Sequence, residues 1–477
     1  MIIEKKLRVI LYMACFSAMM YGCTKKWDAR TEVTDPNLKG SLYERLSQNT
    51  DLSEFSKLLV KSGYDKVLAS SKTFTVWVPD NAALANLAPD VINDSLKLDR
   101  FIANHITLSA LSVRMAADTL VVKMLDGKNL DFTSGSISDA HIITADQYAS
   151  NGLYHVIDKA LTPKLNMWEY ILGSVQTWQQ NNFIYSLESI NIFPADSLAV
   201  NTGNPLLDNE FLKKVYNLGD EEKKFTYFVM ADNAFETEET KLLPYLISGS
   251  QDSTENLSKY YAVRDMVFEG AYTPETLPDT LISKFGVKVP INKSAITGEP
   301  ILLSNGIVYV MSSMDVKLED RLVTTTLEGE SPRGFTQSDK SLYTYYREKE
   351  DPSGILFNDI MVMNHGVPLF GINYRASNLY STTYQVYWRA INDIQTNVFQ
   401  QRLRVGGVEG IDGTVTNPLA FFPYTNVELN NYNEVYLGEF TLQNIADVNM
   451  TLIAANSGTN GLNTLTLDYL KLVPVIK

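Results

Sequence analysis

Four histidines (His105, His141, His155, His365) and two cysteines (Cys15, Cys23) are all that 477 residues offer for imidazole, thiol or soft-metal chemistry. Two cysteines cannot build a disulfide framework, and the set is too small for a zinc site of the usual kind. The chain has no G-x-S-x-G elbow, no P-loop, no dinucleotide-binding glycine pattern and no H-E-x-x-H pair. Among 55 acidic residues a glycosidase carboxylate pair stays open by count alone. His105 closes the apolar segment Phe101 to Ile106, where a ring bonded to backbone is the expected role, and His155 sits mid-strand with the same expectation. We therefore expect no catalytic residue, no metal site and no cofactor.

The one thiol with a chemical task is Cys23. Lys5, Lys6 and Arg8 precede the apolar run Val9 to Tyr21, which is too short for a membrane span but suits a signal-peptide core. The run ends Met20-Tyr21-Gly22-Cys23, which resembles a bacterial lipobox; the alternative is a plain secretory signal with an incidental cysteine. The resemblance makes 1–22 a signal peptide, Cys23 the lipidation site and 23–39 a lipidated tether. Each buried CH₂ of the acyl chains contributes roughly 0.8 kcal/mol of attachment to the bilayer. Residues 1–22 hold three basic side chains and one acidic, so their removal deepens the net charge from −14 to −16. That sign argues against nucleic acid as a partner.

The elements that must position any site come from a duplication. Phe74-Thr75-Val76-Trp77-Val78-Pro79-Asp80-Asn81-Ala82-Ala83-Leu84 returns as Phe225-Thr226-Tyr227-Phe228-Val229-Met230-Ala231-Asp232-Asn233-Ala234-Phe235. Asn151-Gly152-Leu153-Tyr154-His155-Val156 follows the first, 77 residues on, and Asn305-Gly306-Ile307-Val308-Tyr309-Val310 follows the second at 80. Phe74 to Val78 reads as a buried strand that Pro79 ends. Ala82-Ala83-Leu84 would then open a short helix, and Asn151-Gly152 would be a tight turn feeding a second strand. Asp51 with Glu54 suggests a capping box, and Gly63 closes the helix that follows. Mixed helix and strand signals without regular alternation predict an α+β fold.

Both copies resemble fasciclin-type domains. Thr75 to Leu84 fits the first characteristic block of that family, Asn151 to Asp158 the second, and Asn104-His105-Ile106 the histidine-containing motif between them. The resemblance defines a first copy at 40–164 and a divergent second copy at 165–320. In the second, Arg264-Asp265 stands for the histidine dipeptide, Ser312 replaces an aspartate, and a polar insertion runs from about Asn201 to Glu222. It implies adhesion or extracellular binding without catalysis.

Beyond Leu318 the chain turns polar, and Glu328 to Gly334 reads as a linker. From 335 to 477 short strand-like runs alternate with turns: Ser341 to Tyr346, Tyr384 to Ala390, Gln401 to Val405, Glu434 to Leu442, Asn449 to Ala454 and Leu462 to Val475. Leu465, Leu467 and Tyr469 alternate with Thr464, Thr466 and Asp468, which predicts one buried and one wet face of a β-sandwich. The pattern resembles the jelly-roll modules of carbohydrate-binding proteins, carried by Tyr384 to Ala390, Leu437 to Leu442 and Leu467 to Pro474. Tyr345, Tyr346 and Tyr424 are the candidate binding residues, with wet tyrosines of ordinary β-packing as the competing reading.

Four D-[ST]-aliphatic triplets, beginning at Asp94, Asp118, Asp196 and Asp279, resemble acceptors of Bacteroidetes protein O-glycosylation. Together these resemblances imply a bacterial outer-membrane lipoprotein at the cell surface. Its expected partners are the lipid bilayer, outer-membrane importer subunits of a starch-utilisation-type complex, and a glycan or protein ligand. An adhesin or matrix protein is the alternative, and a degenerate glycan-active enzyme the third reading. Thr24 to Asp28 carries only Asp28 in place of an acidic export cluster, which leaves the exposed face of the membrane open.

Overall fold

In the computed structural model the described residues are 35, 38–189, 208–337, 342–409, 414–458 and 462–477. Cys15, Cys23, nearly all of the tether, the Asp196 triplet and the turns at Asp412-Gly413 and Asn460-Gly461 lie outside them. The fold is α+β, and the chain divides into two compact units, Met1–Leu165 and Asn166–Lys477.

In the first unit a seven-stranded sheet runs, edge to edge, through Ile106–Thr107, Phe74–Pro79, Gly152–Ile157, Ala140–Ala149, Ser136–Ile137, Asn129–Phe132 and Leu120–Lys123. Helices Leu42–Ser47, Ser53–Ser62 and Ser95–Ala103 bring Leu46, Phe55, Leu59, Phe101 and Ile102 into one core with Phe74, Val76 and Val78. A second cluster gathers Trp77, Phe132, Ile137 and Ile157. The capping box expected at Asp51 belongs instead to Ser41 and Glu44, because Asn49 caps the 3-10 turn Thr50–Leu52 and the Glu54 N–H bonds the Asn81 side chain. Gly63 ends the Ser53–Ser62 helix at φ +81°, as its position suggested. Ala82-Ala83-Leu84 opens no helix. Asp80 accepts the Ala83 N–H at 2.7 Å and holds a turn, and helix resumes at Pro89–Asn93. In the second copy the counterpart is a full helix, Asp232–Leu242.

The duplicated motifs meet in space. Phe74–Pro79 pairs in parallel with Gly152–Ile157, placing Phe74 opposite Gly152 and Trp77 opposite His155. Phe225–Met230 pairs in parallel with Gly306–Met311, placing Phe225 opposite Gly306 and Phe228 opposite Tyr309. The Asn-Gly dipeptides are more than turns. Asn151 accepts the Leu42 N–H at 2.8 Å and donates to the carbonyls of Leu68 and Ser70. Asn305 does the same with Met167, Leu218 and Asp220. Each buried amide thus ties the start of its copy to the parallel strand pair. A Cβ at Gly152 would fall 1.9 Å from the Phe74 carbonyl oxygen, and one at Gly306 2.1 Å from that of Phe225, so the backbones approach where only glycine fits.

The second unit joins the second copy to the sandwich. Its first sheet orders Ile296–Leu303, Gly306–Met311, Phe225–Met230 and Val267–Glu269. One sandwich sheet orders Thr325–Glu328, Tyr469–Pro474, Thr383–Arg389 and Val435–Thr441; another orders Gly334–Phe335, Gly371–Leu379, Ala446–Ala454, Phe399–Glu409 and Val415–Phe421. All of these sandwich pairs are antiparallel. A third sheet joins Thr344–Glu350, Leu356–Val362 and Leu465–Leu467. The stretch read as a linker is flanked by strands built into the sandwich, 325–328 and 334–335. The expected run Leu462 to Val475 breaks at Asp468 into strands of two different sheets. Thr464, Thr466 and Asp468 are buried rather than wet, because Gln401 brackets the Thr466 backbone and Arg389 holds Asp468 at 2.6 Å.

One apolar core runs from Met167 through Phe228 and Tyr309 to Trp388, Leu452 and Leu472. Tyr245 OH accepts the Lys477 N–H at 2.8 Å, Ser381 bonds the Tyr245 and Pro244 carbonyls, and Tyr380 OH donates to the Arg321 carbonyl. The insertion expected to be polar carries Phe211, Leu212, Val215 and Leu218 into this core.

Candidate ligand-binding face of the sandwich

The histidines are structural. His105 is fully buried, donates from Nδ1 to the Phe101 carbonyl at 2.7 Å and accepts the Leu161 N–H on Nε2 at 3.0 Å. Burial pushes its pKa down to about 4, so the ring is neutral. His155 donates from Nε2 to the Leu111 carbonyl and accepts the Asp146 N–H, and burial lowers its pKa too. His365 bonds the Asn463 carbonyl and stacks on Phe370 at 4.7 Å. His141 is exposed on a strand. In the second copy the strand register aligns Asp265-Met266, not Arg264-Asp265, with Asn104-His105: the Trp77 N–H bonds the His105 carbonyl, and the Phe228 N–H bonds that of Met266.

The arrangement best suited to a ligand lies on the outward side of the 399–409 and 415–421 strands. Period two sends Leu403 and Val405 into the core and turns Arg402 and Arg404 to the opposite side of the sheet, where Arg402 is half-buried and Arg404 is buried. The Arg402 guanidinium lies 3.9 Å from the Phe421 ring centroid and 4.3 Å from that of Tyr424, clamped between two aromatic faces. Its Nε has no hydrogen-bond partner among the described residues, and Phe421 is 43% exposed. Beside it Arg404, Thr451 and Asn373 fall in one cross-strand row, with Arg404 donating to Thr451 at 3.0 Å and Thr451 to Asn373 at 2.9 Å. Such a face offers a stacking ring, a fixed guanidinium fork and a braced amide, groups that recognise hydroxyls and carboxylates.

Of the sequence candidates, Tyr424 belongs to this face. Tyr345 and Tyr346 lie on the Thr344–Glu350 strand of a different sheet, 44% and 60% exposed, and as neighbours they point to opposite sides. Trp388 is core, 1% exposed. Arg402 and Arg404 escaped sequence reading, although the alternation Arg402-Leu403-Arg404 inside a strand run was the available signal. Cys23 lies outside the described residues.

Residues 50–163 match the family model described as Fasciclin domain, a match that supports a binding role for the chain. A curated relative, the Synechocystis protein sll1483, is 30% identical over 115 residues, 21% of this chain and 61% of that protein's length. Among solved structures, the FAS1 domain pair of the insect cell adhesion molecule Fasciclin I is 17% identical and covers 57% of this chain and 99% of its own, at a TM-score of 0.23. The CBM36-1 domain of a multidomain xylanase from the hindgut metagenome of Trinervitermes trinervoides is 18% identical and covers 32% of this chain and 98% of its own, at 0.19. At scores this low neither structural likeness bears on what this chain binds.

Proposed function

We propose that this chain is a lipid-anchored outer-membrane binding protein, held by acyl chains on Cys23 at the end of a 1–22 signal peptide. In this reading it displays its sandwich at the cell surface and serves as an accessory subunit beside a starch-utilisation-type glycan importer. The observation that carries the binding reading is the Arg402 guanidinium fixed between Phe421 and Tyr424 beside the Arg404–Thr451–Asn373 row. Local cations on a chain of net charge −14 favour a glycan bearing a carboxylate over a purely neutral one.

A glycan array probed with the full-length chain and its Arg402→Ala variant tests this. Acidic glycans should be retained by the wild type and lost by the variant at equal thermal stability; equal retention by both would remove the site. Deleting 335–477 is a poor test, because it would expose the core shared with the second copy. For the anchor, Cys23→Ser should leave the protein soluble or unprocessed, and a processed variant that still fractionates with outer membranes at high salt would refute the lipidation. The fasciclin domain favours a second reading, adhesion to other cells or matrix. Neighbouring importer genes would argue for the first, and cell attachment lost on gene disruption for the second.

A further inference from the structure

The two copies carry a cleft at the same place, and only one of them has been refitted. In the first copy a cleft of about 510 Å³ opens between the 106–107 edge strand and the hairpin of 120–123 with 129–132; in the second, one of about 490 Å³ opens between 267–269 and the hairpin of 280–282 with 288–290. Identical hydrogen bonds fix the residue correspondence. Thr75 Oγ1 donates to the Ser109 carbonyl and accepts the Leu111 N–H; Thr226 Oγ1 donates to the Gly270 carbonyl and accepts the Tyr272 N–H. The carbonyl of Leu111 is held by His155, and that of Tyr272 by the hydroxyl of Tyr309, in the matching strand position. At the hairpin tips, Met124 bonds Lys128 and Gly127 as Ser283 bonds Val287 and Gly286.

With the backbone held constant, the lining differs at several positions, Lys123 standing against Ile282 and Thr107 against Phe268. Strand register sets Leu108 against Glu269 and Val121 against Thr280; the bonds above set Leu111 against Tyr272 and Leu125 against Lys284. At these four positions aliphatic side chains of the first cleft correspond to a carboxylate, a hydroxyl, a tyrosine ring and an ammonium in the second. The second copy also adds Tyr216, from the segment unique to it. Lys284 pins that segment: its ammonium donates to the carbonyls of Lys214 and Val215 and lies 5.3 Å from the Tyr216 ring. Gly270, at φ +99°, leaves only 3.4 Å between its Cβ position and the Tyr272 ring, so the ring folds back over the loop. The two copies thus share a hydrogen-bonded frame, and the second places Tyr216, Tyr272, Glu269 and Thr280 along its cleft.

We propose that this cleft of the second copy is a binding site for a neutral saccharide, its rings Tyr216 and Tyr272 covering sugar C–H faces while Glu269 and Thr280 take hydroxyls. The site is independent of the sandwich face. A proline-rich peptide would use the rings but has no hydroxyls to offer Glu269 and Thr280.

The test titrates the full-length chain by calorimetry with maltohexaose, laminarihexaose, xylohexaose and mannohexaose, and with a deca-proline peptide. At least one oligosaccharide should bind. Tyr272→Leu and Glu269→Leu, which install the first copy's own residues and should fold normally, should each weaken it about tenfold or more, or ~1.4 kcal/mol. Tyr272→Phe should retain most of the affinity, and Arg402→Ala all of it. The proposal is overturned if none of the four sugars binds, if the leucine variants bind as the wild type does, if Arg402→Ala alone removes binding, or if Tyr272 matters only for the deca-proline peptide.

Discussion

Acid should loosen the first copy of the duplicated domain before the second, and His105 is the main reason. Its ring lies 4.6 Å from Phe101 and 5.4 Å from Phe55 between centroids, has no exposed surface, and uses both nitrogens on backbone partners. A second proton would remove the acceptor that Leu161 needs and place a charge in an apolar core. In the unfolded chain the imidazole titrates near 6.5; in the fold burial holds it down at about 4. A base with a depressed folded pKa contributes stability that is fully present above the unfolded value and is lost as pH falls through the folded one. At ~1.4 kcal/mol per pH unit, that interval amounts to about 3 kcal/mol, drained progressively between pH 6.5 and 4. His155 acts in the same direction. The second copy carries Met266 and Tyr309 at the matching positions and has no histidine there to protonate. Native-state hydrogen exchange on the full chain, corrected for intrinsic rates, resolves the two units. Protection of peptides spanning 101–107 and 152–161 should fall steeply from pH 7 to 4, while 225–230 and 306–311 change less. In His105→Met, with the second copy's residue installed, overall protection should drop at pH 7 through the lost hydrogen bonds, but the acid slope should flatten. A wild-type first unit equally protected at pH 7 and 4, or an unchanged slope in the variant, would show that His105 does not control acid stability.

Gly152→Ala and Gly306→Ala each force a Cβ to about 2 Å from a carbonyl oxygen of the parallel partner strand, so each should cost its own unit more than about 3 kcal/mol by denaturant unfolding; a loss below 1 kcal/mol would mean that the strand pairs sit farther apart. Arg321 is fully buried with Nη1 at 2.8 Å from Glu238 and Nε at 3.8 Å from Asp265, whose pKa burial raises against the pull of Arg264 and Arg321. Arg321→Ala removes the buried cation shared by the two carboxylates, leaving Glu238 with Lys241 at 2.6 Å and Asp265 with Ser283 at 2.7 Å, and should destabilise the second unit by about 3 kcal/mol, with partial recovery on adding Glu238→Gln; an unchanged unfolding midpoint would show the cluster to be uncoupled from folding.

What the sequence settled by itself was written in local period and repetition, although the capping box expected at Asp51 and the helix expected at 82–84 show that local pattern also misleads. The α+β class followed from the mix of helix and strand signals, and the repeated motifs were legible because duplication repeats both composition and spacing; that their strands pair in parallel was not. The strands around Trp388 and Leu452 were visible because alternation is a property of consecutive residues. Tertiary structure decided what depends on residues distant in the chain. Asn151 and Asn305 read as turn residues until their amides were seen to clamp segments more than 80 positions away. Thr464, Thr466 and Asp468 read as wet because burial of a polar face depends on partners such as Gln401 and Arg389 in other strands. The Arg402 clamp needs Phe421 and Tyr424 brought back by the neighbouring strand and the loop after it. The refitted cleft needs the two copies aligned by hydrogen bonds rather than by letters, since aligning residues by type put Arg264 where the backbone puts Asp265. A pattern along the chain records which face of an element is apolar; it does not record what closes over that face, and sites are made where two such faces meet.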